Sequence, residues 1–549
     1  MRLTGGPKRA KQVSQENQKS LKRKDIMKHY IRFFALLGAL FCLAGCAGKP
    51  ASSNPSSGDR PSSAVSSSGT NGVLNPTEVF EDVFAPTPGS TAVETTPMEE
   101  SGLRQPAQGS TALEVNNLFQ DYAVLQRNAS VPVWGTGEDG KTVTVEFAGQ
   151  TKTAVVSGGK WRVNLDPMEA NTQNRQMVIS CGDTVRTANN ILVGEVWLAG
   201  GQSNMAMSLF NVSNSMKKEL LKEKGNDSLR EFLVTIERTT EPKGNVTGIW
   251  TPADSSKNLV SISTVAYYFA KELQKSLGVP VGIVRAAESA TELELWVDAA
   301  KVEERGYTNP GKPLKDATDY KAMVMPLFPY ALKGMIWYQG EDNVACERTY
   351  ASYQNIFSIL LEDYRAGFEN PDMPVIQAML PKYIHPDEEG WVHFRYVQME
   401  MQENLEGVYT AVTIDTGDPE DIHPKEDKPV VSARMAAIAL DRVYHAGEPA
   451  LSPACTGGSV SGDKAILTFK NVSRGLIVRG TVADLEVCGA DGVWKAASAE
   501  VGEDGASLIV SAAGITPTGV RYANALAPSP SLYDKNGLPV APFYLDSLS

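Results

Sequence analysis

A serine that follows two glycines is the first residue whose type and setting suggest chemistry. Residues 191–199 form a short, almost continuously apolar run, which is typical of a strand buried on both faces. Gly200 and Gly201 end this run and permit a sharp turn, and the residues after Ser203 are predicted to open a helix. The first N–H groups of such a helix would stabilise an oxyanion beside Ser203. The alternative interpretation is an ordinary Gly-Gly turn with a serine N-cap.

A nucleophilic serine needs a general base within hydrogen-bond distance, and histidine is the usual one. The chain has five histidines, and His423 has the most suitable position. It follows the apolar run 408–414 by a short loop, so we expect it at the carboxyl end of a strand. The carboxylates of Asp418, Glu420 and Asp421 are all close enough in sequence to orient its imidazole.

Polar side chains follow a third apolar run, residues 333–338. Gln339, Glu341 and Asn343 come directly after it. The side-chain amide of Gln339 or Asn343 would donate an N–H to a developing oxyanion, while Glu341 would hold that geometry or contact the substrate. The alternative interpretation is a polar turn with no catalytic role.

These three sites require a scaffold that brings strand ends together. Between residues 191 and 446, apolar runs alternate with amphipathic ones. Strands are predicted at 191–199, 279–287, 333–338, 374–380 and 408–414, and helices at 261–277, 350–365, 391–404 and 430–444. The alternation predicts an α/β domain with a doubly wound parallel sheet, whose ligand site lies at the carboxyl ends of the strands. Ser203 and His423 would then meet at one edge.

Two β regions are predicted to flank this core. Residues 111–190 contain short alternating runs at 131–135, 142–147 and 161–165, which predict an N-terminal β-sandwich domain. Such a domain is either a carbohydrate-binding module or a domain that packs against its neighbour, and packing is the favoured interpretation. Residues 447–549 return to short strand-like runs and predict a C-terminal β domain.

The first 46 residues have the character of a signal peptide. Lys28 and Arg32 precede the apolar run 33–43, and the sequence Leu-Ala-Gly that leads to Cys46 resembles a bacterial lipobox. The resemblance implies cleavage before Cys46 and acylation of its thiol, which gives an exported protein anchored by lipid to a bacterial membrane, at the cell surface or in the periplasm. Residues 47–110 are rich in Ser, Pro, Gly and Thr and predict a disordered tether.

Composition excludes some classes of function. The 549-residue chain has a formal net charge of −12 and no basic block beyond its first residues, which argues against nucleic acid as a partner. No metal motif is present, and no cofactor is implied. The chain has six cysteines, and a disulfide between Cys455 and Cys488 and free thiols are both compatible with their spacing.

The serine does not lie in the elbow of an α/β-hydrolase, because Met205 stands where Gly-x-Ser-x-Gly needs its second glycine. Instead, three segments resemble the signature blocks of the sialate O-acetylesterase family of SGNH hydrolases: GEVWLAGGQSNM at 194–205, WYQGEDN at 337–343 and DIHP at 421–424. The resemblance implies a flavodoxin-like SGNH core, with Ser203 as nucleophile and His423 as base. The implied reaction removes acetyl groups from O-acetylated sugars through an acetyl-enzyme. Gln202 and Asn204, which flank the serine, are expected to contribute to the oxyanion hole or to contact the substrate.

Two positions depart from the pattern of that family. Ser289-Ala290-Thr291 stands where the family has Gly-Gly-Thr, so Ala290 would supply the backbone N–H of the oxyanion hole. A positive φ at that position would cost alanine about 1 kcal/mol or more. The position three before the histidine holds Glu420, so Asp421 is assigned as the orienting acid, with a Ser-His dyad as the alternative. The rival function is a non-catalytic, glycan-binding surface lipoprotein derived from such a hydrolase.

Overall fold

The computed structural model of the protein describes residues 113–220, 222–223, 225–307, 317–344, 347–386 and 388–549. The predicted signal peptide 1–46, with Cys46, and the predicted tether 47–110 lie outside these residues. In the described part of the chain, no helix combines the length and the apolar character that a membrane crossing requires.

A long strand joins two parts of the molecule and ends at the serine. This strand, β8, spans Thr184–Gly201 and runs through the predicted domain boundary at residue 190. From residue 113 onward, the strands that precede it are β1 Glu114–Val115, β2 Val124–Gln126, β3 Val131–Thr136, β4 Thr142–Phe147, β5 Gln150–Val155, β6 Lys160–Leu165 and β7 Asn171–Cys181. The first half of β8 pairs with β7, and residues from Glu195 onward pair with strands of the core.

The core of the molecule is a parallel sheet around β8. Its other strands are β9 Asn226–Val234, β10 Gly248–Ala253, β11 Val281–Ala287, β12 Gly334–Tyr338, β13 Val375–Ala378 and β14 Val408–Ala411. The order is β10-β9-β11-β8-β12-β13-β14, and only β10 runs antiparallel to its neighbour. The five strands β11-β8-β12-β13-β14 follow the 2-1-3-4-5 order of flavodoxin-like sheets. The molecule is therefore a mixed, sheet-rich α/β protein.

Helices cover both faces of this sheet. They are α1 Ser203–Ala206, α2 Asn214–Leu220, α3 Ser256–Leu259, α4 Thr264–Leu277, α5 Ala299–Glu304, α6 Glu347–Gly367, α7 Glu388–Asn404 and α8 Lys428–Ile438. Short 3-10 turns lie at Leu209–Asn211, Leu293–Trp296 and Met325–Leu327, and π turns at Tyr320–Val324 and Ala439–Val443.

Alternate residues of β8 belong to the apolar clusters on opposite faces of the sheet. Val196 and Leu198 belong to the apolar cluster that includes α6 and α7, whereas Trp197 and Ala199 belong to the cluster that includes α4 and α8. A strand that is covered on both faces must be apolar throughout, and this is the pattern that identified it in the sequence. The predicted doubly wound arrangement of the core therefore agrees with the packing.

The C-terminal region is built from β strands. They are β15 Ala454–Ser461, β16 Lys464–Lys470, β17 Leu476–Val478, β18 Leu485–Cys488, β19 Trp494–Ala496, β20 Ser498–Val501, β21 Ser507–Ser511, β22 Gly519–Tyr522, β23 Leu532–Asp534 and β24 Phe543–Leu545. Met379 and Ile414, which follow β13 and β14, share their apolar cluster. Cys455 and Cys488 are free thiols, so the disulfide considered for them is absent.

Candidate active site

The turn after β8 fixes the position of Ser203. Gly201 has φ of 132°, and a Cβ there would lie 2.1 Å from the carbonyl oxygen of Tyr338, so no larger residue fits. The Gln202 N–H donates to that same carbonyl at 3.0 Å. The chain then turns into α1, with the partly exposed Ser203 as its first residue. The Gly-Gly pair therefore places the serine at the carboxyl edge of the sheet, between β8 and β12.

One hydrogen bond brings the histidine loop to the serine. The side-chain Nδ2 of Asn204 donates to the carbonyl oxygen of Ile422 at 3.0 Å, which joins the residue after Ser203 to the residue before His423. These residues are more than two hundred positions apart in the sequence. No hydrogen bond joins Ser203 Oγ to the imidazole within the described residues, as is common for catalytic groups without a bound substrate.

The histidine sits in a loop braced at both ends. At its start, Gly417 has φ of 101°, and its N–H donates to Asp427 at 2.7 Å. The guanidinium of Arg434 donates two hydrogen bonds, of 2.6 and 2.7 Å, to the carboxylate of Asp415. Such bidentate pairs fix geometry, so the loop holds His423 with little freedom.

Asp421 lies closest to the imidazole among the three nearby acids, but the contact is loose. Its Oδ1 accepts the backbone N–H of His423 at 2.9 Å, whereas Oδ1 and Nδ1 of the imidazole are 4.0 Å apart. Its other oxygen binds Lys425 at 3.1 Å. Burial acts to raise the pKa of Asp421, but the His423 N–H and Lys425 outweigh it and hold the pKa below its usual value. Asp418 and Glu420 are exposed.

The surroundings keep the imidazole neutral. Burial is the main cause that lowers the pKa of His423, and the ammonium of Lys428 adds to it, while the carboxylate of Asp421 opposes both. An imidazole with a lowered pKa is unprotonated at neutral pH. His423 is therefore in the form that a general base requires.

The loop after β11 contributes free backbone donors. Ala290 has φ of 56°, which is the left-handed conformation expected for the glycine it replaces. Its N–H and that of Ser203 donate to no acceptor in the described parts of the chain. The Glu288 N–H binds the Gly201 carbonyl at 3.3 Å, so this loop lies against the serine turn.

The amides of Gln202, Gln339 and Asn343 are buried and bind one another. Gln339 Nε2 lies 3.0 Å from Gln202 Oε1, 3.0 Å from the carbonyl of Thr291 and 2.7 Å from Asn343 Oδ1. Gln202 Nε2 in turn donates to Asp342 at 2.7 Å. The hydrogens of Gln339 and Gln202 thus already have protein acceptors. This geometry supports a positioning role, in which the three amides connect the ends of β8 and β12 to the loop after β11 that contains Ala290.

A buried network of three hydrogen-bonded side chains, Glu341, Asn204 and Lys428, lies next to Ser203. Glu341 Oε1 accepts from Asn204 Nδ2 at 2.5 Å, and its other oxygen is buried without a partner among the described residues. Lys428 donates to the carbonyl of Asn204 at 3.2 Å and also to its side-chain oxygen. Burial raises the pKa of Glu341 and lowers the pKa of Lys428 to about 7, although Glu341 opposes the second shift. Asn204 is thereby held between an acid and an amine.

Lys428 was not predicted from the sequence, although a signal was present. Val431, Ser432 and Met435 are buried along one face of α8, and Lys428 precedes them with helical spacing. The same periodicity therefore places a lysine on the buried face of a helix. A lysine on such a face is almost always paired. That pairing would have directed attention to an acid at a neighbouring strand end.

Comparison with known proteins shows the family of the chain. The model of the family described as carbohydrate esterase, sialic acid-specific acetylesterase, matches residues 193–440. The chain is similar to a carbohydrate acetylesterase of known structure from Xanthomonas citri, with 30% identity, a TM-score of 0.72, and coverage of 79% of this chain and 99% of the other. It is also similar to human sialate O-acetylesterase, with 25% identity over 375 residues, covering 60% of this chain and 70% of the human one. The mouse sialate O-acetylesterase is 26% identical over 388 residues, which cover 58% of this chain and 71% of that one. The chain therefore belongs to the family of carbohydrate esterases that includes the sialic acid-specific acetylesterases.

Proposed function

We propose that this protein is a serine esterase of the SGNH type that removes acetyl groups from O-acetylated sugars. One observation carries the proposal. The hydrogen bond of 3.0 Å from Asn204 to Ile422 ties the serine turn to the histidine loop. A Gly-Gly turn with a serine N-cap would need no such connection to a distant histidine, so the nucleophile-base interpretation is favoured.

In the first half of the proposed reaction, neutral His423 takes the proton of Ser203 Oγ as the oxygen attacks the acetyl carbonyl. The carbonyl oxygen becomes an oxyanion, which the unpartnered N–H groups of Ser203 and Ala290 stabilise. The tetrahedral intermediate collapses as the protonated His423 gives its proton to the leaving sugar oxygen. The products of this half are a free sugar hydroxyl and an acetyl group on Ser203.

In the second half, His423 takes a proton from water, which attacks the acetyl-enzyme. Collapse of the second tetrahedral intermediate returns the proton to Ser203 Oγ and releases acetate. Asp421 supports the positive imidazolium by its charge. Gln202, Gln339, Asn343 and the Glu341-Asn204-Lys428 chain act as positioning residues that hold the serine turn.

The replacement Ser203→Ala tests the assignment of the nucleophile. We expect loss of p-nitrophenol release from its acetate ester with an unchanged far-UV CD spectrum. Ser208→Ala is the matched control, because Ser208 lies in the following turn and, among the residues that the structure describes, its Oγ binds only Asn211, at 3.0 Å. Full activity in Ser203→Ala would overturn the proposal.

A fluorophosphonate probe separates the esterase from its rival, a surface lipoprotein that binds glycans without turnover. A serine with a working base is labelled rapidly, and Ser203→Ala and His423→Asn should both lose the label. The free N–H and positive φ of Ala290 favour the esterase, because the loop retains the backbone form that the reaction uses. Absence of labelling in the wild type would favour the rival. A panel of acetylated sugars, read by acetate release, would then define the substrate class.

We also propose that the protein is held to a bacterial membrane by lipid on Cys46. The support is the lipobox-like sequence that ends at this cysteine. Metabolic labelling with an alkyne fatty acid should mark the wild type but not Cys46→Ser. Equal labelling of both would refute the anchor without affecting the assignment of Ser203.

A further inference from the structure

A cleft of about 780 Å³ lies between α7 and the C-terminal β region, apart from the serine site. On the helix side it is lined by His393, Tyr396, Met399 and Glu400, and on the other side by Asn524 and Tyr544. We call it the α7 cleft. Its volume is within the range of small-molecule binding sites.

Aromatic rings line this cleft and continue beyond it. The rings of His393 and Tyr396 are 6.4 Å apart, and on the opposite wall the rings of Tyr544 and Trp494 are 5.3 Å apart. Tyr544 is 47% exposed, so its ring is accessible to solvent. His393 and Tyr544 are exposed on the two walls, Tyr396 is half-buried, and Trp494 lies outside the cleft with Arg521 4.6 Å from its ring centroid.

Polar groups without protein partners stand between the rings. The Tyr396 hydroxyl donates to Asn524 Oδ1 at 2.9 Å, which fixes the orientation of that amide. The Asn524 amide hydrogens, the Glu400 carboxylate and the Tyr544 hydroxyl have no hydrogen-bond partner among the described residues. The cleft therefore presents both donors and acceptors to a ligand.

The walls of the cleft are held together. Arg395, which is fully buried, donates to the backbone carbonyls of Ala525 and Leu526 at 2.7 and 2.9 Å, next to Asn524. Because the helix and the C-terminal loop are joined in this way, the cleft is preformed. A preformed site loses little free energy in ordering its side chains when a ligand binds.

The same helix also contacts the serine site. A Cβ on Gly340, in the loop after β12, would lie 2.2 Å from the ring of Phe394, the neighbour of His393. In addition, the Ile384 N–H, in the segment that leads to α7, donates to the Pro419 carbonyl of the histidine loop at 3.0 Å. The helix that lines the α7 cleft, together with the segment that leads to it, thus also contacts the loops that carry Gly340 and Pro419.

The chemistry of the lining selects the class of ligand. Sugars have apolar C–H faces and hydroxyl edges, and they match flat aromatic rings combined with donors and acceptors. The cleft is lined by a carboxylate and by no lysine or arginine, which argues against nucleic acids and phosphates. We propose that the α7 cleft binds neutral saccharide residues of the glycan whose acetyl ester is cleaved at Ser203. This inference rests on the proposed esterase function for the identity of the glycan.

Binding is measured first, because it does not depend on turnover. The full chain is run in native gels that contain acetylated xylan, acetylated glucomannan or submaxillary mucin. We expect at least one polysaccharide to retard the wild type, with an apparent Kd that rises about five-fold or more in Tyr544→Ala. Tyr544→Phe keeps the ring face and should bind within about two-fold of the wild type.

Kinetics then separate the cleft from the catalytic site. On the retarding polysaccharide, Tyr544→Ala should raise KM for acetate release without lowering kcat, and hydrolysis of p-nitrophenyl acetate should be unchanged. Retardation by none of the three polymers, or equal retardation of wild type and Tyr544→Ala, would overturn the inference. If retardation depends on Tyr544 but the protein has no esterase activity, the proposed function is refuted, whereas saccharide binding in the α7 cleft is supported.

Discussion

Replacing Asp421 by asparagine tests whether this acid orients the histidine or only supports its charge. The carboxylate oxygen and Nδ1 of His423 are 4.0 Å apart, which is beyond a hydrogen bond. The change removes the charge while an amide oxygen can still accept the backbone N–H of His423, now bound at 2.9 Å. Any loss of activity in Asp421→Asn therefore reports mainly the electrostatic support of the imidazolium.

The expected loss follows from the separation and the exposure of the two groups. Two unit charges 4 Å apart attract each other by about 1 kcal/mol in water and about 4 kcal/mol near a protein surface. The two side chains are 32% and 37% exposed, and Lys425 already shares the carboxylate, so solvent and this second cation place the value near the lower limit. About 1–2 kcal/mol corresponds to a fall of roughly 5- to 30-fold in kcat/KM.

The assay is a pH profile of kcat/KM for p-nitrophenyl acetate. Asp421 raises the pKa of His423, so its neutralisation lowers that pKa further and moves the acid limb of the profile to lower pH. The matched control is Glu420→Gln, because Glu420 is exposed and its carboxylate has no partner in the described chain. The control should keep wild-type activity and an unchanged acid limb.

Two outcomes would refute this reasoning. A loss of about 10⁴-fold in Asp421→Asn, as found where an aspartate binds the catalytic histidine directly, would mean that the 4.0 Å contact closes during the reaction. A fall in Glu420→Gln that matches the fall in Asp421→Asn would mean that the wrong acid has been assigned. In both cases, unchanged CD spectra are needed to exclude unfolding.

Three further predictions concern the residues around the serine. The pKa of Lys428 is about 7 in the folded protein, against 10.5 normally. Between pH 7 and pH 10.5 the unfolded chain therefore binds more protons than the folded one, so the free energy of unfolding should rise by about 1.4 kcal/mol per pH unit in this range. Lys428→Met should lose this rise in urea titrations at pH 7 and pH 9, and a retained rise would contradict it. Ala290→Gly should change kcat for acetate release by less than about three-fold, because alanine already has a positive φ of 56°. Any gain in folding free energy from relief of strain at this φ is offset by the greater flexibility of glycine in the unfolded chain. A ten-fold rise in kcat would mean that alanine distorts the loop. Gly340→Ala places a Cβ 2.2 Å from Phe394 and should lower the free energy of unfolding by about 1–3 kcal/mol in the same titrations, whereas wild-type stability would show that the ring moves aside.

The core could be predicted from the sequence because its strands are buried on both faces. Runs such as 279–287 and 333–338 are mostly apolar, with one charged residue each, and they appear as β11 and β12 with small differences at their ends. The helix predicted at 261–277 begins at Thr264, since Ser263 accepts the Ala266 N–H and caps it. Burial on both faces leaves a strong pattern, whereas helix ends depend on single hydrogen bonds.

Other elements left weaker patterns. β10 at the edge of the core sheet and its neighbour β9 were not predicted, and in β9 the charged residues Arg230 and Glu231 interrupt the apolar run. Arg230 is buried all the same, since its guanidinium binds the carbonyl of Asn190. Residues 459–469, in the predicted C-terminal β domain, belong to the hairpin of β15 and β16, which turns at Gly462 with φ of 65°.

The sequence predicts which residues lie at the strand ends but not how they are connected. Sequence order places Ser203 and His423 at strand ends, yet it does not show that Asn204 binds Ile422 or that Lys428 lies beneath the serine turn. It also suggested that the amide of Gln339 or Asn343 donates to an oxyanion, but not that Gln339 Nε2 lies within hydrogen-bond distance of three protein oxygens. Such roles depend on distances between loops, which periodicity does not encode.

Strand β8 joins the N-terminal β region to the sheet that carries Ser203. Thr184 pairs with β7 at one end of the strand, and Gly201 pairs with β11 and β12 at the other, so one unbroken backbone serves both sheets. A cut at residue 190 would expose unpaired strand edges on both sides. The two sheets should therefore exchange their amide hydrogens as one cooperative unit, and an expression boundary placed at 190 would yield an aggregating fragment rather than a minimal enzyme.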